Sequence, residues 1–90
     1  MAEDNTIYVG NKTFMNYVTS VLMQFNKGAN EVRIKARGKH IARAVDIAEM
    51  VKNKFIKDAK VKEINISSEE FESSDGKKRR VSVIELVLAK

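Results

Sequence analysis

Val32-Arg33-Ile34-Lys35-Ala36-Arg37-Gly38-Lys39-His40 is the stretch from which the fold can be read. Val32, Ile34 and Ala36 alternate with Arg33, Lys35 and Arg37, the period of a strand with one buried and one wet face, and Gly38 ends the run. From Lys39 to about Phe55 the residues Ile41, Ala44, Val45, Ala48, Val51 and Phe55 recur at helical spacing, with Lys52 and Lys54 in the last turns, where cations suit the helix dipole. Upstream the same order occurs once more. Thr6-Ile7-Tyr8-Val9 is a short strand stopped by Gly10, and a helix follows to Lys27 with Phe14, Met15, Val18, Val21, Leu22 and Phe25 on its apolar face. Downstream, Val61 to about Phe71 and about Arg79 to Leu88 read as two long strands joined through Ser73-Ser74-Asp75-Gly76. The expected fold is an α/β two-layer sandwich, β-α-β-α-β-β, with a mixed four-stranded sheet, two helices and a long protruding C-terminal hairpin. It forms one domain over residues 1–90, of which 1–4 are expected to be flexible.

The 90 residues include no Cys and one His, His40, which removes disulfides, thiolate sites and most imidazole metal sites. No metal, cofactor or small-molecule substrate is expected. No apolar run approaches the length needed to cross a bilayer, so a soluble, cytoplasmic protein without membrane contact is expected. Seventeen bases against twelve acids give a formal charge of +5. The excess lies wholly in residues 31–60, and between Arg33 and Arg43 five bases occur with no acid among them. Charge so placed favours an anionic partner.

Geometry sharpens that reading. If the first two strands are parallel neighbours, the turns Gly10-Asn11-Lys12 and Arg37-Gly38-Lys39 open at the same end of the sheet, each at a helix N-terminus that favours phosphate. Lys39 and Arg43, four apart, share one helix face, where like charges repel unless an external anion joins them. Arg33 and Lys35 read instead as a solvated sheet face. The hairpin should overhang the body, because about ten residues of strand reach about 33 Å and a helix of about sixteen only about 24 Å. Its bases Lys77, Lys78, Arg79 and Arg80 are matched by Glu69, Glu70, Glu72 and Asp75. With a turn centred on Asp75-Gly76, Glu72 faces Arg79 and Ser73 faces Lys78, so the ribbon reads equally as internally paired and as an arm for a minor groove.

Most aromatic residues are assigned to the core, with base stacking a minority reading for Tyr8 or Tyr17. Phe55 is either core or a contact between molecules. Ile47 and Met50 lie off the second helix's stripe and point either to a dimer face or to a wide core face. Catalysis has no motif. Gly38-Lys39 fails as a phosphate loop because Arg33 and His40 stand where Gly and Ser or Thr are required, and His40 has no carboxylate to orient it.

Val9-Gly10-Asn11-Lys12 with Met15-Asn16-Tyr17-Val18, then Ile34-Lys35-Ala36-Arg37-Gly38-Lys39 leading to Ala44-Val45-Asp46, then Asp75-Gly76 with Arg80-Val81-Ser82 and Ile84-Glu85, resemble the Alba family of small basic archaeal chromatin and RNA-associated proteins. The resemblance covers about Thr6 to Ala89. It implies a fold like the C-terminal domain of translation initiation factor three, an obligate dimer, and binding of double-stranded DNA and RNA with little sequence preference. By the same resemblance Lys12 lies against the nucleic-acid backbone, Arg37 and Lys39 are bases of the second turn, and Lys77, Lys78, Arg79 and Arg80 belong to a minor-groove arm. Phe55 matches an aromatic that joins one dimer to the next. Many members carry two adjacent lysines in the first turn, one described as a target of acetylation. Here Asn11 stands in the first place, able to donate a hydrogen bond to phosphate, and Lys12 remains as the modification candidate.

The function expected is that of a homodimeric architectural protein of the chromosome, with a paralogue heterodimer as a variant and no catalysis. Lys12, Arg37, Lys39 and Arg43 position the body, and Arg79 or Arg80 the arms. The alternatives are an RNA-binding subunit of a ribonucleoprotein such as a ribonuclease P-like particle, and a protein-interaction module using Ile47, Met50 and Phe55.

Overall fold

The computed structural model describes residues 5–90, so residues 1–4, expected to be flexible, lie outside the described residues. The chain runs β1 (Thr6–Tyr8), α1 (Phe14–Asn26), β2 (Glu31–Arg37), α2 (Ile41–Met50), β3 (Lys60–Glu72) and β4 (Lys78–Ala89). This is the expected β-α-β-α-β-β order, and the strands form one mixed sheet in the order β1-β2-β4-β3. β1 and β2 are parallel, with Tyr8 beside Lys35, while β4 runs antiparallel to both β2 and β3.

Both helices pack on one face of the sheet. Val32, Ile34 and Ala36 of β2 and Leu86 and Leu88 of β4 form the floor of the core, against Val18, Val21 and Phe25 of α1 and Ala44, Ile47 and Ala48 of α2. The alternation in β2 is thus literal, each apolar residue buried and each intervening base at least partly exposed. No helix among the described residues is long and apolar enough to cross a membrane.

Three expectations are corrected. In α2 the buried stripe runs through Ala44, Ile47, Ala48 and Val51, with Ile41 partly buried at its start, so Ile47 is core, whereas Val45 and Phe55 are 40% and 48% exposed. The cause is partly local: the helix opens with a 3-10 turn at Gly38–His40 and closes with a π turn at Val51–Phe55, in which the Ile56 N–H donates to the Val51 carbonyl at 2.8 Å. The wider π turn carries Phe55 away from the core. In α1, Met15 is exposed and Tyr17 buried in its stead. In the hairpin, Glu72 faces Lys78, Phe71 faces Arg79 and Glu70 faces Arg80, one residue off the expected register. Ser73 N–H donates to the Lys77 carbonyl and Gly76 N–H to the Ser73 carbonyl, each at 2.9 Å, and Gly76 alone takes a positive φ, of 81°. This is a three-residue loop with a bulged glycine, where a two-residue turn was expected.

β2 ends at Arg37, opposite Val83, whereas β4 begins five residues earlier at Lys78. At about 3.4 Å per residue the hairpin therefore projects about 17 Å past the end of β2, before its loop is counted.

Candidate nucleic-acid interface

The parallel pairing of β1 and β2 brings the first turn, residues 9–13, and the second, around Gly38, to one end of the sheet, the end past which the hairpin projects. A direct bond ties the turns together. Arg43 Nη1, from the first turns of α2, donates to the Lys12 carbonyl at 2.6 Å.

Inside the first turn Tyr17 is the organising group. Its ring is 6% exposed, and its hydroxyl oxygen accepts from the Gly10 N–H at 2.8 Å and the Lys12 N–H at 2.9 Å. A long side chain one turn into a helix points back toward the N-terminus, so a Tyr there reaches the preceding loop. Asn11 and Lys12 are held out as an exposed tip. Tyr17→Phe should keep the ring packing but leave two partly buried donors unpaired. We expect a loss of about 2 kcal/mol in denaturant unfolding and faster amide exchange at Gly10 and Lys12; unchanged exchange would mean that the loop holds itself.

The second turn depends on Gly38. Its φ is 53°, and a Cβ there would stand 3.0 Å from Cγ2 of Val81, so the turn packs its backbone directly on the root of the hairpin. Arg37 reaches the same strand pair from the other side, with Nε 3.3 Å from Oε1 of Glu69. Lys39 is exposed, and Arg43 is half-buried against the first turn.

On the arm, Arg80 Nη2 lies 2.9 Å from Glu70 Oε2, and Arg79 Nη2 lies 3.4 Å from Asp75 Oδ2. Asp75 also accepts from the Ser73 hydroxyl and the Lys77 N–H; the Ser73 bond first, then that of Lys77, holds its carboxyl below the usual carboxylate range, so it stays charged and ties off the loop. Lys77 and Lys78 form no ion pair among the described residues. All four bases of the arm are exposed.

The fold thus gathers Asn11, Lys12, Arg37, Lys39 and Arg43 at one end and sends Lys77, Lys78, Arg79 and Arg80 outward from it. Phe55 stands apart, about 20 Å away at the far end of α2 by helix rise alone. Sequence reasoning missed the roles of Tyr17 and Glu69, and Tyr8, assigned with most aromatics to the core, is 67% exposed. The surface is an electrostatic cradle of backbone turns and long cations. No group of three or more His, Cys, Asp or Glu residues among the described residues is placed to hold a metal.

Known proteins are similar to this chain in sequence and in fold. The family model described as Alba matches residues 5–68. DNA/RNA-binding protein Alba 1 of Archaeoglobus fulgidus is 57% identical over 90 residues, covering 100% of this chain and 99% of the relative. Among solved structures, Alba from Thermoplasma volcanium superposes with a TM-score of 0.90 at 49% identity, covering 96% of this chain and 100% of that one. ALBA1 from Trypanosoma brucei superposes with a TM-score of 0.80 at 28% identity, over 100% of this chain and 72% of that one.

Proposed function

The chain belongs to the Alba family, and from that premise we propose that it is a dimeric, largely sequence-independent binder of double-stranded DNA and RNA, an architectural protein of the chromosome in the cytoplasm that works without catalysis. The observation that carries this reading is the meeting of two basic turns and an arm with four exposed bases at one end of the sheet, locked by the bond from Arg43 to the Lys12 carbonyl. Lys12, Arg37 and Lys39 are exposed long cations at the rim of two turns, with no helix or strand among the described residues placed to enter a major groove, and charge so presented to phosphates gives affinity with little sequence preference. The arm, projecting past them, suits a minor groove, where Arg79 and Arg80 exchange solvated carboxylate partners for the groove's negative potential. Acetylation of Lys12 would remove one of these charges.

The dimer is supported by an apolar strip on the helix-bearing face that the helices leave uncovered. Ile64 pairs with Leu86 and Ile66 with Ile84, which puts both on the core side of the sheet, yet they are 61% and 79% exposed. Ile66 lines a groove with Ile41 and Ile84, and Val45 continues the strip one turn along α2. β3 is also the outer strand, thirteen residues long with an open edge, which natural sheets cover or blunt. A second copy, or a paralogue with the same residues, covers it by twofold symmetry.

The test is fluorescence anisotropy on matched double-stranded DNA and RNA across salt concentration. If each protomer neutralises about three phosphates, the log-log slope on B-DNA is about −5. Comparable affinities with that slope support the reading; strong preference for structured RNA would instead favour a ribonucleoprotein subunit, and absence of binding to either would sink both.

A further inference from the structure

The helices cover one face of the sheet, and the opposite face carries an aromatic ring and a lysine, Tyr8 and Lys35, that the duplex reading does not use. Thr6 and Tyr8 of β1 stand beside Arg33 and Lys35 of β2 on that open face, and Arg37 follows at the end of the row. Tyr8 is the most exposed aromatic residue among those described, and it lines a pocket with Lys35, Arg37 and Glu69. A single exposed apolar side chain is ordinary; a flat ring fixed on a rigid strand with cations along its neighbour is the form in which unpaired bases are held. Lys35 and Arg37 are two residues apart on β2, about 7 Å, a spacing suited to successive phosphates of an extended strand. Four carboxylates share this face: Glu85 on β4 and Glu69 on β3 pair with Arg33 at 3.5 Å and Arg37 at 3.3 Å and border the row, while Glu31 and Glu63 lie toward its other end, beyond Arg33 from Tyr8.

We infer that the open sheet face beside Tyr8 is a second nucleic-acid site, which takes an unpaired strand by stacking one base on the Tyr8 ring while Lys35 and Arg37 neutralise the adjoining phosphates. A duplex keeps its base faces inside the stack, so it cannot use the ring; the site selects single strands. Arg37 borders both surfaces, so an RNA with a helix and an unpaired flank can occupy both at once.

The test uses the whole protein, labelled single-stranded oligouridylate and oligothymidylate, and a matched duplex. Tyr8→Ala should weaken single-strand binding about tenfold and leave duplex binding within about twofold, whereas Tyr8→Phe, which keeps the ring, should bind both as the parent does. The chain has two tyrosines and no tryptophan, and Tyr17 is buried. Single-strand binding should therefore quench tyrosine emission in the parent but not in Tyr8→Phe. Unchanged single-strand affinity in Tyr8→Ala, or equal losses on single strand and duplex, overturns the proposal. A parent protein that ignores duplexes yet holds single strands through Tyr8 would overturn the duplex reading and uphold this one.

Discussion

Arg37→Glu should lower affinity for a duplex of about 20 base pairs by roughly two orders of magnitude at about 0.1 M salt, and should make the log-log salt slope shallower by about two. The factor of two follows from symmetry, since the proposed dimer presents the residue twice. Position explains why the effect is large. Arg37 is the last residue of β2, between the first turn and the root of the arm, so a carboxylate there faces the same phosphates that Lys12 and Lys39 attract. It would also stand beside Glu69, doubling the local negative charge where one pair had been neutral. The fold should survive. The Arg37 side chain is 57% exposed, and exposed ion pairs contribute little to stability, so circular dichroism and melting should stay near those of the parent. Glu69→Gln is the informative companion, because it releases Arg37 from its partner and should raise affinity by about two- to threefold. An Arg37→Glu protein that is folded and binds duplexes as before removes Arg37 from the interface.

The parts of this arrangement that were legible in the sequence are those in which one face of a regular element is buried and the other is wet. Val32, Ile34 and Ala36 against Arg33, Lys35 and Arg37 specify β2, and two strand-turn-helix units in succession imply the parallel β1–β2 pair that brings the basic turns together. What escaped was set by tertiary placement or by small departures from ideal periods. Ala44 and Ala48 lie on the α2 stripe under any reading, but whether Val45 or Ile47 flanks them on the buried side depends on how the helix rolls on the sheet, and it rolls to bury Ile47. Phe55 left the stripe because a π turn added a residue to the last coil. At the arm, Asp-Gly permits a two-residue or a three-residue loop. The choice fell to Asp75, whose carboxylate accepts from Ser73 and from the Lys77 N–H and whose backbone keeps a negative φ. One residue of register then decides which cations share a face with Phe71 and which with Ile66. Tyr17 was legible only to an argument from side-chain direction, and Tyr8 only once the open face was known to be open.

Replacing both Ile64 and Ile66 with Asp should turn the proposed dimer into a monomer at concentrations of about 10 μM, where light scattering or sedimentation reads the mass directly, with the dimer constant weakened more than about a hundredfold. The two side chains are already exposed in the protomer and belong to no packed part of its core, so little folding energy is at stake within one chain. In a twofold interface each substitution acts twice, so four carboxylates would have to be desolvated for the two copies to associate. If the protomer needs its partner to stay folded, Ile66→Ser alone should show it, as a melting temperature that rises with protein concentration more steeply than the parent's. Binding then follows from mass. A monomer carries half the basic turns and one arm, so the salt slope should fall from about −5 to about −2.5, and duplex affinity should drop with it. This result separates the dimer from the phosphate contacts, because Arg37→Glu changes slope and affinity at constant mass whereas the isoleucine variant changes them through the mass. A folded double variant that remains dimeric would place the interface elsewhere, with the apolar strip of β3 left to another partner.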